Sequence, residues 1–504
     1  MTANLFDQLA RTITRPDALA IETGAGTRYS YTDLLAWSGR MANALTAQGV
    51  KPGDRVAAQV EKSVAALVLY LATLRCGAVF LPLNTAYTGA EVDYFLGDAE
   101  PALFIGDPRR RAELEPIAAT AGARMLDLDA AGAGTLAEAA AAAPDDFATV
   151  PRAGDDLAAL LYTSGTTGRS KGAMLTHHNL LSNALALRQA WRFDARDVLI
   201  HALPIFHTHG LFVATNVTLF AGGSLLFLPR FDLDAVFAAL PRATCLMGVP
   251  TFYVRLLQDP RLSEQATAHM RLFVSGSAPL LAETHRDFEA RTGHAILERY
   301  GMTETNMNTS NPYDGPRVPG AVGLPLPGVD IRITDPDSGA PLAPGAIGMI
   351  EVKGPNVFKG YWRMPEKTAA ELRADGHFIT GDLGRIDEAG YVHILGRGKD
   401  LVITGGFNVY PKEVEDLIDA LPGVRESAVI GLPHRDFGEA VTAVVVTLPG
   451  AEVTEAQILA ALDGRLARFK QPKRVVFVEE LPRNAMAKVQ KKELREALAG
   501  LYPG

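Results

Sequence analysis

Short apolar runs at 157–162, 199–202, 223–228, 244–249 and 272–275 each have Gly, Ser, Pro or Thr at or just beyond their ends. Runs of this kind read as strands of a layered α/β protein. In such sheets ligands gather at the carboxyl ends of the strands, where the polar clusters of this chain lie. The same alternation occupies 27–100. Residues 27–34 predict a strand entering a helix, with Thr32 as its N-cap. Residues 38–49 carry apolar residues at helical spacing and stop at Gly49. A strand at 56–60, a helix at 64–76 and a strand at 78–82 follow. Residues 128–145, crowded with Ala and acids, predict a surface helix or loop.

The texture changes twice. From about 320, Pro-Gly pairs punctuate short runs such as 347–352, which predicts a β-rich subdomain. Near 400 a compact α+β unit begins. It has a helix at 411–421 with Pro in its first turn, strands at 427–430 and 440–446, and a helix at 455–466. No internal repeat is visible.

Composition narrows the class. Hydrophobic residues at 48% and charged residues at 21% over 504 residues are ordinary for a soluble globular chain, which excludes collagen-like, disordered and disulfide-stapled proteins. A net charge of −8 argues against a nucleic-acid partner but leaves room for a small basic pocket. The two cysteines, Cys76 and Cys245, read as buried thiols in a reducing cytoplasm. The N-terminus lacks a basic segment followed by an apolar run, so no signal peptide is expected. The longest apolar stretch, 64–74, ends at Arg75 and is too short to span a bilayer, so no membrane partner is expected.

The strongest chemical signal is Leu161-Tyr162-Thr163-Ser164-Gly165-Thr166-Thr167-Gly168-Arg169-Ser170-Lys171-Gly172. A strand feeds a loop whose glycines let backbone N–H groups approach an anion. Hydroxyls donate further hydrogen bonds, and Lys171 adds a point charge. The pattern is not a Walker A loop, because Ser170 stands where the second Gly would be required.

This loop resembles that of the acyl- and aryl-adenylate-forming superfamily, and the resemblance covers nearly the whole chain. Further motifs follow in the family's order: Ser275-Gly276-Ser277-Ala278-Pro279, Tyr300-Gly301-Met302-Thr303-Glu304, Gly320 to Pro325, Tyr361-Trp362, Thr380-Gly381-Asp382, Gly396-Arg397-Gly398-Lys399-Asp400 and a late Lys488. The resemblance implies a large N-terminal domain over 1–398, with two layered α/β sheets and a β-rich subdomain, and a small mobile α+β domain over 399–504. It implies ATP, Mg²⁺ and coenzyme A as the small-molecule partners.

On this resemblance Thr163, Ser164, Gly165, Thr166, Thr167, Gly168 and Lys171 hold ATP phosphates, and Ser277, Ala278, Pro279, Glu298 and Gly301 line the nucleotide. Tyr300 offers a face to adenine. Thr303 donates to a phosphate oxygen. Glu304, with Thr167, is the Mg²⁺ ligand, a hard oxygen donor suited to that ion. Asp382 and Arg397 hold the ribose. Lys488 is the cation at the reacting centre, where a carboxylate attacks the α-phosphate and pyrophosphate leaves; Thr303 and Glu304 complete that centre. Family members usually have Gly where this chain has Ala487.

For the second half-reaction the resemblance implies rotation about Lys399, bringing Gly405, Gly406 and Phe407 toward the thiol. No carrier segment follows, so free coenzyme A is the expected acceptor. The acid is suggested by Arg299, the residue before Tyr300, and by His207 in Pro204-Ile205-Phe206-His207-Thr208-His209-Gly210. An Arg fork suits a second carboxylate. The pairing resembles malonyl-CoA synthetases, so Arg299 and the cation candidate His207 are expected to hold the distal carboxylate, with Ser277, Thr208 and Met307 lining the pocket. His207 and His209 lack a third ligand at zinc spacing, and no metal site is expected there. The expected activity is ligation of malonate to coenzyme A through a malonyl-adenylate, with methylmalonate as a further substrate. A medium-chain or aryl acid ligase and a catalytically inactive nucleotide-binding regulator are the alternatives. Acetylation of Lys488 by a lysine acetyltransferase, reversed by a deacetylase, is the expected regulation.

Overall fold

Strand-forming runs in the first 330 residues assemble into two largely parallel sheets. A computed structural model describes residues 2–163, 170–404, 407–484 and 488–502. One sheet has six strands in the order Arg124–Asp127, Leu103–Gly106, Arg55–Gln59, Val79–Pro82, Leu157–Thr163 and Lys171–Thr176, all parallel except the last. The other has nine, in the order Leu324–Pro325, Asn306–Ser310, Leu297–Met302, Leu272–Ser275, Cys245–Gly248, Val198–His201, Ser224–Phe227, Leu19–Thr23 and Arg28–Ser30.

The main core lies between them. Ile21, Leu199, Leu225 and Leu272 of the nine-stranded sheet share one apolar cluster with Val56, Phe80 and Leu161 of the six-stranded sheet. The helix Val64–Arg75 runs through it, capped by the Ser63 side chain, and buries every residue from 64 to 74. That explains its unbroken apolar sequence: a helix covered on all sides needs no polar stripe. Each large side chain so buried stabilises the fold by about 1.5–3 kcal/mol.

A third, antiparallel sheet joins Asp330–Thr334, Gly348–Lys353, Phe378–Ile386 and Val392–Arg397, matching the β-rich texture after 320. The C-terminal unit has its own sheet, built on the long hairpin Val424–His434 and Gly438–Thr447, and its own core of Val402, Val414, Ile418, Val441 and Ile458. The molecule is thus a large N-terminal domain followed by a small one. Among the described residues every ion pair joins partners on the same side of residue 399.

Some local expectations change. The helix expected from 38 already starts at Tyr31 and runs to Ala47. Its N-cap is Ser30, which exchanges side-chain and backbone hydrogen bonds with Asp33, so Thr32 lies inside the first turn and is not the cap. Within 128–145 a helix forms at Thr135–Ala141 and buries Leu136 and Ala140. Both cysteines are buried, and burial pushes each thiol up to about 12. Among the described residues no helix is long and apolar enough to cross a membrane.

Candidate active site

Several chain segments converge at the carboxyl ends of the two sheets and at the seam with the C-terminal domain. The strand Leu157–Thr163 delivers the chain to the Gly- and hydroxyl-rich loop, and Lys171 opens the next strand. Ser164, Gly165, Thr166, Thr167, Gly168 and Arg169 lie outside the described residues, as do Gly405, Gly406 and Ala487. Thr163 keeps its place at the strand end, with Oγ1 facing the Lys171 carbonyl at 3.5 Å.

Lys171 is not a lone point charge. Its ammonium lies 3.1 Å from Tyr361 Oη and 3.5 Å from both oxygens of Glu371. Tyr361 Oη donates to Glu371 Oε2 at 2.6 Å and approaches Glu304 Oε1 at 3.0 Å. Lys171, Tyr361, Glu371 and Glu304 therefore form one continuous polar chain. Glu304 sits in the turn between Leu297–Met302 and Asn306–Ser310, and its carbonyl accepts from the Phe358 N–H at 2.8 Å. Burial raises its carboxyl above the usual range, and the neighbouring Lys171 opposes that rise. A buried carboxylate beside a cation-lined loop fits Mg²⁺, which takes one or two protein carboxylates and fills its shell with phosphate oxygens and water. No group of three or more metal-ligating His, Cys, Asp or Glu side chains occurs among the described residues.

Tyr300 is buried and donates to Asp382 Oδ2 at 2.5 Å. Asp382 Oδ1 pairs with Arg397 Nε at 2.8 Å. The phenol expected to face adenine thus also anchors the Asp382–Arg397 pair. A Cβ on Gly301 would overlap the Asn306 carbonyl, so the bulge after Tyr300 admits only glycine. Thr303 lies in the same turn as Glu304, partly exposed.

Arg299 and Glu298 alternate on one strand and face opposite ways. Glu298 accepts the Leu280 N–H at 3.3 Å, next to the Ser277-Ala278-Pro279 loop, and burial pushes its carboxyl up to about 8. Arg299 is 3% exposed and makes no ion pair among the described residues. Its Nε and Nη2 are buried without a partner among the described residues. Burial pulls its guanidinium down to about 9. A Cβ on Gly276 would overlap that guanidinium, so the glycine makes room for it. An unpartnered buried guanidinium is costly unless a ligand supplies the acceptor.

His207 is held differently from the expectation. Burial, with Lys488 and then Arg299 nearby, pulls its imidazole down to about 3, so it is a neutral hydrogen-bonding group and not a cation. His209 joins the site instead of remaining a bystander. Its Nδ1 lies 3.2 Å from Ser277 Oγ, and Ser277 adopts a left-handed φ of 73°, rare for a residue with a side chain. Thr208 Oγ1 is buried without a partner among the described residues, and Met307 is 2% exposed beside Gly301.

Lys488 is brought into this cluster from the C-terminal domain. Burial and the nearby Arg397 pull its ammonium down to about 8, while Asp382 and Glu304 favour the charge. Lys399 lies in the short turn Gly398–Asp400, exposed, and Asp400 pairs with Arg495 at 2.6 Å. Phe407 stands apart from the cluster, 56% exposed and stacked on Phe469. Glu371, Tyr361 and His209 are site residues to which the sequence reading gave no role. Only Tyr361 carried a signal, in the Tyr361-Trp362 motif.

Known proteins show the same architecture. Residues 9–362 match the AMP-binding enzyme family and 413–488 its C-terminal domain. MatB from Rhodopseudomonas palustris is 67% identical, with all of both chains covered; the TM-score is 0.98 for its ATP-bound crystal structure and 0.88 for its apo structure. A feruloyl-CoA synthase of an Amycolatopsis species is 39% identical over 95% of this chain and 96% of its own length. A malonate–CoA ligase of Arabidopsis thaliana is 36% identical over 89% and 79%. The chain belongs to the AMP-binding enzyme family.

Proposed function

We propose that this chain is an AMP-forming malonate–CoA ligase. The observation that carries the reading is Arg299, a buried guanidinium with two nitrogens unpartnered among the described residues, in a pocket shared with His207, His209 and Ser277. A dicarboxylic acid fits this arrangement. One carboxylate pairs with the Arg299 fork while neutral His207 donates a hydrogen bond, and the other carboxylate reaches the nucleotide. An aryl acid, the substrate type in the feruloyl-CoA synthase's name, would leave the guanidinium unpaired.

The reacting carboxylate attacks the α-phosphate in line, and pyrophosphate leaves. Both reactants are anionic, so positioning and charge neutralisation dominate. Asp382 and Arg397 fix the ribose, with Tyr300 orienting Asp382. Lys488 bridges the attacking oxygen and the 5′-oxygen, and Lys171 with the loop of Ser164 to Gly168 holds the phosphates. Glu304, with Thr167, would hold Mg²⁺, which when bound neutralises phosphate charge. The domain seam falls at Lys399. Rotation there withdraws Lys488 and brings Gly405, Gly406 and Phe407 to the thiol of coenzyme A, which attacks the acyl-adenylate and releases AMP. Charge on Lys488 is required for the first step only, so its acetylation by a lysine acetyltransferase would block adenylation and leave thiolysis. Two buried thiols suit a reducing, cytoplasmic setting.

The test is acid-dependent AMP release with ATP and coenzyme A across malonate, methylmalonate, succinate, acetate, octanoate and ferulate. Malonate is expected to exceed acetate by ~10⁴, and a methyl branch to shift activity by only about 1–3 kcal/mol. Arg299→Ala should collapse malonate use. Ferulate or octanoate leading the panel would overturn the malonate assignment.

A further inference from the structure

Lys62 lies in the loop between the strand Arg55–Gln59 and the helix Val64–Arg75, and among the described residues it forms no ion pair. Its ammonium instead contacts one residue of the other sheet twice. Nζ lies 2.9 Å from His201 Nδ1 and 2.8 Å from the His201 carbonyl. It also sits 4.3 Å from the centre of the Phe227 ring, against which His201 packs. His201 is fully buried at the end of Val198–His201. Its other nitrogen, Nε2, lies 2.9 Å from the Gly210 carbonyl and 3.2 Å from Thr215 Oγ1.

Gly210 stands in the wide π-helical segment His209–Thr215, which begins at His209 and follows His207. Wide turns of this kind are strained and recur at functional sites. The Thr215 hydroxyl donates to the Gly210 carbonyl at 3.0 Å, so that oxygen is held from two sides. A Cβ on Gly210 would overlap the Pro204 carbonyl, so the segment is packed tightly against the loop before His207.

We propose that Lys62 is a positioning residue for acid recognition: by donating to His201 Nδ1 it fixes the tautomer whose Nε2–H holds the Gly210 carbonyl, and thereby sets the wide turn that places His207 and His209. The Gly210 carbonyl can only accept, so Nε2 must carry the hydrogen and Nδ1 is left to accept from Lys62 Nζ. Burial keeps His201 neutral, and the adjacent Lys62 adds to that. Without Lys62, the ring is free to place its hydrogen on Nδ1 and turn a lone pair toward the Gly210 oxygen. The inference rests on the reading of His207 and His209 as acid-pocket residues.

The experiment is steady-state kinetics of the full-length chain and its Lys62→Met variant, using whichever acid the unaltered enzyme prefers. A different preferred acid would sink the malonate assignment and leave this test intact. KM for the acid is expected to rise about ten- to a hundredfold, with KM for ATP and the thermal midpoint unchanged. An acid KM within twofold of the original would overturn the proposal, and so would a parallel rise in both KM values. Should Lys62→Met not fold, His201→Gln and His201→Leu decide it. The amide of Gln supplies a donor near the position of Nε2 and should keep the acid KM near the original, while Leu raises it. Equal effects of the two would overturn the proposal.

Discussion

The guanidinium of Arg299 fills the space that a side chain on Gly276 would occupy. The two residues come from neighbouring strand ends, Leu272–Ser275 and Leu297–Met302, which run parallel in the nine-stranded sheet. The loop backbone is therefore one wall of the arginine's niche. Gly276→Ala must push the guanidinium aside, and a displacement of about 1 Å at a positioning group lowers catalysis by about 10²-fold. The expected result is a rise in KM for malonate with the fold intact, read by AMP-release kinetics beside circular dichroism. Unchanged malonate kinetics would remove Arg299 from the acid pocket.

The pH dependence of the first half-reaction follows from Lys488. Burial and Arg397 hold its ammonium at about 8, so the charge proposed to bridge the reacting oxygens is present below that pH and lost above it. In ATP–pyrophosphate exchange, kcat/KM for malonate should fall about tenfold per pH unit above pH ~8. Lys488→Arg keeps its charge over that range, and its residual activity should stay level to pH ~9, where Arg299 begins to lose its own charge. A wild-type profile flat to pH ~10 would contradict the buried placement of this lysine.

Tyr361 and Glu371 bind no substrate in the proposed mechanism, yet they hold Lys171 and Glu304, the two groups which in that mechanism meet the Mg-nucleotide. Tyr361→Phe removes the hydroxyl shared by Lys171, Glu304 and Glu371. Loss of a hydrogen bond to charged groups weakens the arrangement by about 1.5–3 kcal/mol. The expected effect is a roughly ten- to hundredfold rise in KM for Mg-ATP, with KM for malonate unaltered. Titrating Mg²⁺ at fixed ATP should show the same shift. Equal rises in both KM values would indicate a general loss of structure.

The N-cap of the helix Tyr31–Ala47 supplies a stability test away from the site. Ser30→Ala breaks the reciprocal bonds with Asp33 and should lower stability by about 1 kcal/mol. A thermal midpoint lower by about 1–2 °C is expected by differential scanning fluorimetry. Thr32→Ala should do less, because the Thr32 hydroxyl makes one exposed contact, with Asp17 at 3.2 Å.

Much of the site was readable because its residues sit where strands end. The anion loop after Thr163, the Ser275-Gly276-Ser277 turn and the Tyr300 to Glu304 turn all announce themselves by glycine and hydroxyl placement next to apolar runs. Asp382 and Arg397, which the structure pairs, were readable as partners through the motifs around them. Glu371 was not, because it ends an ordinary polar helix and meets Tyr361, and Lys171 far from it in sequence, only in the fold. The charge of His207 was misread for a physical reason. Its ring is kept neutral by burial and by Lys488, which arrives from the far end of the chain, and no local pattern records that approach. The Thr32 error was avoidable, since Ser30 followed three residues later by Asp33 is a capping box written in the sequence.

The two buried cysteines bear on how this enzyme meets its own co-substrate. A thiol held up at about 12 and closed off from solvent forms almost no thiolate at neutral pH. Oxidised coenzyme A, a disulfide made of the molecule the enzyme consumes, therefore finds no accessible partner for exchange at Cys76 or Cys245. For the same reason a chromogenic disulfide reagent added to the folded protein reports the disappearance of free coenzyme A with no background from the polypeptide, and the second half-reaction can be followed by colour alone.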